Sequence, residues 1–181
     1  MATRARIGIK QKDGTIITAY QHWDGMPGGL GYNLCENWTD AKKVLEAIKL
    51  GNSSKWGIII GEKIDFDDRS NPFHDVQNVY YGRDRGEQDQ GPRTFKDEAD
   101  YLKNGFNSGE EYIYLMMDQG TTNFMGKPIG TWCYAGDIYT DEGKATPTSF
   151  QSLEEVAIND HIDQLKRHLE TIQKKEDVIN G

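Results

Sequence analysis

The amino-acid sequence predicts an α+β protein: a mostly antiparallel sheet with helices packed on one face, plus a long C-terminal helix. Several segments alternate apolar and polar residues as strands do, and two pairs of them are joined by hairpin-like connections. The regular strand–helix–strand rhythm of a parallel sheet is missing. The 181 residues suit one domain with an appendage. We divide them into an α+β domain (1–135), a linker (136–152) and a C-terminal helix (153–177).

The first two predicted strands form a hairpin. Residues 4–10 place Ala5, Ile7 and Ile9 on one face, and the Asp-Gly pair at 13–14 favours a tight turn. Residues 15–22 return as the second strand. A two-residue turn would place Arg6 opposite Gln21, whereas a longer loop would shift this register.

Glycine then interrupts the sheet. Four glycines and a proline lie within residues 25–31, which ends the strand and permits close approach of the backbone to another element or a ligand. A short helix over 31–37 would place backbone N–H groups beside this loop. A longer amphipathic helix follows, beginning at Thr39 or Asp40 and ending at Gly51.

The rest of the domain follows from the same patterns. We predict a short buried strand or helix fragment at 57–61, a strand at 76–81, a helix from Thr94 to Asn104, and strands at 111–117 and 130–135. The strand at 111–117 is apolar on both faces, so we expect it to be central.

The C-terminal helix carries apolar residues in the 4-3-4-3 spacing of a coiled-coil seam. These residues are Ile158, Ile162, Leu165, Leu169 and Ile172. We predict that the helix mediates homo-oligomerisation, most simply as a two-fold dimer; the alternative is docking on the sheet of the same chain. His161 and His168 lie off the seam and are predicted to be solvated.

Composition narrows the classes of function. The chain has 21 Lys and Arg against 29 Asp and Glu, a net charge of −8, which argues against general nucleic-acid binding. No apolar run approaches the roughly 20 residues of a membrane span, and none follows the N-terminus as in a signal peptide. Cys35 and Cys133 are predicted to be free thiols, which favours a reducing cytoplasm. The acidic run at 65–70 lacks the glycine and the later bidentate Glu of a calcium loop, so we predict no metal and no cofactor.

Two glycine-bracketed strings, at 22–31 and 82–87, supply the candidate ligand-binding residues. Guanidinium groups suit phosphate or carboxylate, and an indole ring offers a stacking face. We predict that one pocket is formed by Arg4, Arg6, His22, Trp23, Asp24, Arg83, Asp84, Arg85 and Glu87. The alternative is that the arginines form internal salt bridges with the neighbouring acids.

Several strings of the chain are specific enough to compare with known families. They are Arg4-x-Arg6-Ile7-Gly8-Ile9, Asp13-Gly14, Tyr20-x-His22-Trp23-Asp24-Gly25-x-Pro27-x-Gly29-x-Gly31, Tyr81-Gly82-Arg83-Asp84-Arg85-Gly86-Glu87 and Glu111-Tyr112-x-Tyr114-Leu115. In this order they resemble a family of small, mostly uncharacterised tailed-bacteriophage proteins. Met26 and Gly28 stand where that family often has larger residues, and the resemblance ends near residue 134. It implies a phage accessory protein made in the cytoplasm of the infected host cell.

The standard catalytic motifs of hydrolases, P-loop enzymes, zinc proteases and dithiol enzymes are missing from the sequence, which disfavours an enzyme. Together with the resemblance, the arginine and aromatic strings predict binding of a small anionic nucleotide-like ligand. The protein would act as a decoy, or sponge, for a host immune signalling nucleotide. One alternative is an inhibitor that docks on a host defence protein. The other is a small nucleotide-processing hydrolase in which His22 and Asp24 act as an acid–base pair.

Overall fold

The structure is a computed structural model of the chain. It describes residues 2–117, 130–136, 138–140, 143–145 and 147–180.

Ten strands and six α-helices lie within these residues. The strands are β1 (Ala5–Lys10), β2 (Ile16–Gln21), β3 (Ser53–Lys55), β4 (Val79–Tyr80), β5 (Arg93–Phe95), β6 (Tyr112–Met117), β7 (Thr131–Gly136), β8 (Ile138–Thr140), β9 (Gly143–Ala145) and β10 (Gln151–Ser152). The helices are α1 (Tyr32–Asn37), α2 (Ala41–Lys49), α3 (Phe73–Val76), α4 (Tyr81–Arg85), α5 (Glu98–Asn104) and α6 (Glu154–Asn180), and a π-helical turn (Pro27–Gly31) precedes α1.

The main sheet confirms the α+β class and the antiparallel majority. Its strand order is β10-β7-β6-β1-β2-β3-β4, and β5 also pairs with β2. Five of the neighbouring pairs are antiparallel, and two, β1 with β6 and β2 with β3, are parallel. The predicted central position of the strand at 111–117 is confirmed, because β6 lies between β7 and β1.

Helices cover both faces of this sheet rather than one. Tyr114 and Met116 of β6 belong to the core that α1, α2 and the start of α6 complete. Ile113 and Leu115 point to the other face, where they pack with α5 residues such as Tyr101. The physical reason is that a strand with two apolar faces exposes one of them unless both are covered.

The hairpin has a three-residue loop, so its register differs from that of a two-residue turn. Arg6 pairs with Tyr20, not with Gln21. Gly14 supplies the left-handed conformation that the loop needs, with φ at 91°. Successive residues face opposite sides of a sheet, so Arg6 points toward α5 and Gln21 points the other way.

Two further local predictions are corrected. The 57–61 segment is not a buried strand: Ile58 and Ile59 are 46% and 42% exposed, and Ile59 makes only an isolated bridge to Gln77. Thr94 lies in β5, and the helix that we predicted to start there is capped by Asp97, whose carboxylate accepts from the Asp100 N–H at 2.8 Å. Pairing with β2 outweighs the capping tendency of a threonine.

The predicted linker at 136–152 contains strands that return the chain to the sheet. β10 pairs with β7, and β8 with β9 forms a separate two-stranded sheet. Leu153 and Ala157 are then fully buried and dock the start of α6 on the core. Within the described residues, no helix is both long and apolar enough to cross a membrane.

Candidate functional site

A cleft of about 320 Å³ lies between the 22–31 loop, the C-terminal end of β3 and the first turns of α6. Its volume is at the lower end of the range of small-molecule sites. The cleft is lined by Gln21, Asp24, Met26, Gly28, Gly29, Leu30, Tyr32, Asn33, Lys55, Trp56, His161 and Gln164.

The π-helical turn forms the wall where α6 meets the loop. Pro27 starts this turn, and the Gly28 N–H donates to the Asp160 carboxylate at 2.7 Å. A Cβ atom on Gly28 would lie 2.7 Å from the backbone nitrogen of His161 and in contact with the Gln164 amide. Glycine is therefore required here because α6 approaches the backbone so closely.

His161 is part of this wall and is partly buried, whereas the sequence predicted a solvated side chain. Its ring stacks on Tyr32 with the centroids 4.0 Å apart and the planes 3° from parallel. Its Nδ1 lies 3.0 Å from the Gly28 carbonyl oxygen. A carbonyl only accepts, so Nδ1 carries the proton and Nε2 presents a lone pair when the ring is neutral. Nε2 makes no hydrogen bond within the described part of the chain.

Trp56 lines the cleft and has an unpartnered polar atom. The residue is 4% exposed, and its buried indole nitrogen Nε1 has no hydrogen-bond partner among the described residues. The indole N–H groups of Trp38 and Trp132, by contrast, donate to backbone carbonyls at 2.8 and 2.9 Å. A buried donor without an acceptor costs about 1–3 kcal/mol, which makes Trp56 the least satisfied tryptophan of this core.

Some polar groups of the cleft are held by hydrogen bonds in its walls. Others are exposed or only weakly paired. Gln21 is engaged at both ends, by the Trp23 carbonyl at 2.6 Å and the Ser53 hydroxyl at 2.8 Å. Asp24 is exposed and holds a left-handed backbone, with φ at 58°. Lys55 pairs at 3.2 Å with Asp75, whose side chain is almost fully exposed.

Arg6, a predicted ligand-binding residue, lies outside the cleft in a buried ion pair. Its guanidinium donates to Glu110 Oε1 at 2.6 and 2.9 Å, and both side chains are shielded from solvent. Thr18 Oγ1 lies 3.4 Å away on the same face of the sheet. The sequence indicated no partner for Arg6, because Glu110 is 104 residues away and meets it only through the pairing of β1 with β6.

Arg83 and Asp84 tie the loop at 60–64 to the end of β4. Arg83 binds both oxygens of Asp84 at 2.7 and 2.9 Å and donates to the backbone carbonyls of Ile60, Gly61 and Asn78. The buried Asp84 carboxylate also accepts from the backbone N–H groups of Tyr80 and Ile64. Arg83 and Asp84 therefore form an internal salt bridge, which was the alternative to a ligand pocket in the sequence analysis.

Arg85 and Glu87 form a separate, exposed pair. Arg85 Nη1 lies 3.1 Å from Glu87 Oε1, and both side chains are more than a third exposed. The predicted shared face of Arg83 and Arg85 required an extended chain, but residues 81–85 are helical. Residues two apart on a helix point about 200° apart, so the two guanidinium groups separate.

His22, Trp23 and Arg4 form a second, smaller group at the end of β2. His22 Nδ1 lies 2.9 Å from the Tyr20 hydroxyl, and the exposed Trp23 ring meets the His22 ring edge-on at 4.9 Å. Burial lowers the pKa of His22, and the positive charge of Arg4 lowers it further. None of the three lines the cleft.

The structure therefore does not bring the nine predicted residues into one pocket. Asp24 alone lines the cleft, and ligand binding by the other eight stays a prediction. Sequence reasoning missed Lys55, Trp56, His161 and Gln164, which come from β3, the residue after it, and α6. The 4-3-4-3 spacing identified the apolar residues between 158 and 172. It did not indicate which other residues of the helix contact the 22–31 loop.

No cluster of three or more metal-ligating side chains occurs in the described ranges. Comparison of the chain with family models, curated proteins and solved structures finds no match. Aromatic walls, amide groups, one carboxylate and one ammonium suit a small ligand with a planar ring, hydroxyl groups and an anionic group.

Proposed function

We propose that the protein binds a small anionic nucleotide-like ligand in this cleft. The observation that carries the proposal is that one cleft of about 320 Å³ brings together the stacked Tyr32–His161 pair, the Asp24 carboxylate and the Lys55 ammonium. Ligand sites are typically apolar concavities with a few polar groups that fix orientation. The cleft has this character.

Each part of a nucleotide has a suitable group in the cleft. The stacked Tyr32–His161 pair offers aromatic surface for a base. The Asp24 carboxylate is exposed and can accept from ribose hydroxyls. Lys55 can exchange its exposed partner Asp75 for a phosphate oxygen with little loss, because surface ion pairs contribute only about 0–1 kcal/mol.

We propose further that the protein sequesters the nucleotide, as a phage decoy for an immune signalling nucleotide would. The resemblance to tailed-phage proteins supports this role. The hydrolase alternative named His22 with Asp24, but His22 lies outside the cleft. His161, whose Nε2 has no hydrogen-bond partner among the described residues, lines the cleft with Asp24 instead. Such a pair has the residue types of an acid–base catalyst.

Isothermal titration calorimetry with ADP-ribose, cyclic mononucleotides and cyclic dinucleotides tests binding. We expect saturable binding of at least one nucleotide, weakened about tenfold or more by Lys55→Ala and unchanged by Lys12→Ala, which removes an exposed lysine from the β-hairpin loop. Absence of binding across the panel would refute the proposal. Chromatography of the nucleotide recovered after denaturation separates the two roles: an intact nucleotide supports a decoy, and a cleaved one supports the hydrolase.

A further inference from the structure

Beyond its first turns, α6 carries an apolar stripe that has no partner among the described residues. Leu165 and Leu169 are 51% and 59% exposed, and the three isoleucines of the stripe are also exposed. The stripe consists of Ile158, Ile162, Leu165, Leu169 and Ile172. A contiguous exposed apolar surface of this kind marks an interaction site.

We propose that the stripe binds a second copy of this chain, with the two α6 helices antiparallel about a two-fold axis, and that the second copy contributes its His168 to the rim of the cleft. Two features of α6 select this occupant and this direction. They are the spacing of the stripe and the distribution of charge along the helix.

The spacing of the stripe reads the same in both directions over four residues. Ile158, Ile162, Leu165 and Leu169 are separated by 4, 3 and 4 residues. A second helix running the opposite way therefore presents the same spacing. Ile158 faces Leu169 of the second copy, Ile162 faces Leu165, and the reverse contacts follow from the two-fold axis.

Charge favours the antiparallel direction over the parallel one. Residues 154–163 contain four acids and no Lys or Arg, and residues 164–175 contain four Lys or Arg and one acid, before Glu176 and Asp177. An antiparallel pair sets the acidic part of one helix against the basic part of the other. It also brings Glu154, just outside the stripe, beside Lys175 of the second copy. A parallel pair sets like charges together, which destabilises it.

The cleft lies on the side of α6 where this pairing places His168 of the second copy. His161 precedes Ile162 and lines the cleft, and His168 precedes Leu169. In the antiparallel pair these two flanking positions face each other, so His168 of the second copy lies beside His161. The consequence for ligand binding rests on the proposed function, whereas the pairing itself does not.

Cysteine cross-linking tests the direction of pairing. Ile158→Cys and Leu169→Cys variants are co-expressed and oxidised, and we expect a disulfide-linked dimer. Neither variant alone should cross-link. In an antiparallel pair the same residue of the two copies is offset by 11 positions, about 16 Å along the axis, whereas a disulfide spans at most about 7 Å between Cα atoms. The unsubstituted chain, with Cys35 and Cys133, gives the background. Cross-linking of each variant with itself would overturn the antiparallel arrangement.

Light scattering tests the stripe as the interface. We expect a dimer at tens of micromolar, a folded monomer for Leu165→Lys combined with Leu169→Lys, and a dimer for the control Val156→Lys, since Val156 is exposed but lies off the stripe. A monomeric unsubstituted chain would refute the proposal.

A third experiment isolates the contribution to the cleft. Co-expressed His161→Cys and His168→Cys chains should be joined by a short bis-maleimide in higher yield than either variant with itself, because the same residue of the two copies is offset farther along the axis. Failure of this cross-link while the Ile158–Leu169 disulfide forms would remove His168 from the site. If both cross-links form and no nucleotide binds, the pairing stands and the proposed function fails.

Discussion

The 22–31 loop and the 81–87 segment are both glycine-bracketed and polar, yet their polar groups do different things. In 81–87, Arg83 and Asp84 satisfy each other and five backbone groups around the end of β4. In 22–31, the backbone is held by α6 and the Asp24 side chain remains exposed. Charged side chains that pair with each other and with the backbone stabilise the fold. A segment that is held through its backbone leaves its side chains available to bind a ligand.

The largest expected effect comes from breaking the buried pair of the 81–87 segment. Arg83→Ala leaves the Asp84 carboxylate buried without its cation and frees three carbonyl groups. Removal of one partner of a buried pair costs about 3–5 kcal/mol. We expect a loss of this size in the free energy of unfolding, measured by urea denaturation. Stability equal to that of the unsubstituted chain would contradict a structural role for this pair.

A smaller effect is expected where α6 meets the loop. Gly28→Ala places a methyl group against the His161 backbone nitrogen, and overpacking of this kind costs about 1–3 kcal/mol. Gly91→Ala is the control, because a Cβ atom there meets nothing within 4 Å.

Thiol labelling locates the damage caused by Gly28→Ala. Burial raises the pKa of the Cys35 thiol in α1 to about 12, and the negative charge of Glu154 adds to this effect. We expect faster alkylation of Cys35 in Gly28→Ala than in Gly91→Ala at pH 8. Equal rates would mean that the helix stays docked.

The hydrogen bond from Gly28 to Asp160 gives a still smaller effect. Asp160→Ala removes the acceptor of the Gly28 N–H, and a hydrogen bond to a charged group contributes about 1.5–3 kcal/mol when well shielded, less here because Asp160 is only half-buried. We expect a loss of about 1 kcal/mol in urea denaturation. Asp163→Ala is the matched control on the same helix, since its carboxylate contacts only exposed groups; an equal loss in both variants would contradict a specific contact at Asp160.

The smallest effect is expected for the exposed arginine of the 81–87 segment. Arg85→Ala breaks a surface pair with Glu87, and such pairs contribute about 0–1 kcal/mol. The melting temperature should stay close to that of the unsubstituted chain. Any loss of nucleotide binding in this variant would then be a direct effect of Arg85, as the sequence predicted.

Much of the architecture could be predicted because it depends on local periodicity. The alternation in 4–10 and 111–117 identified β1 and β6, and the 4-3-4-3 spacing identified α6. The predicted pocket could not be obtained in this way. Arg6 meets Glu110 only through the pairing of β1 with β6, and no periodic pattern tells whether the adjacent Arg83 and Asp84 bind each other or a ligand. Either arginine would look the same in the sequence if it faced a phosphate.

By itself, the sequence determined the α+β class, the hairpin, the central β6 and the apolar stripe of α6. These features depend on apolar residues that repeat every two positions in a strand and every three to four positions in a helix. Only the tertiary structure decided which polar groups pair with each other inside the fold and which line a cleft. The parallel pairing of β1 with β6 buries Arg6 against Glu110, and the docking of α6 turns His161 from a surface residue into a wall of the cleft. The physical reason is that a charged or hydrogen-bonding side chain takes the partner that folding brings within reach, and that partner is usually distant in sequence.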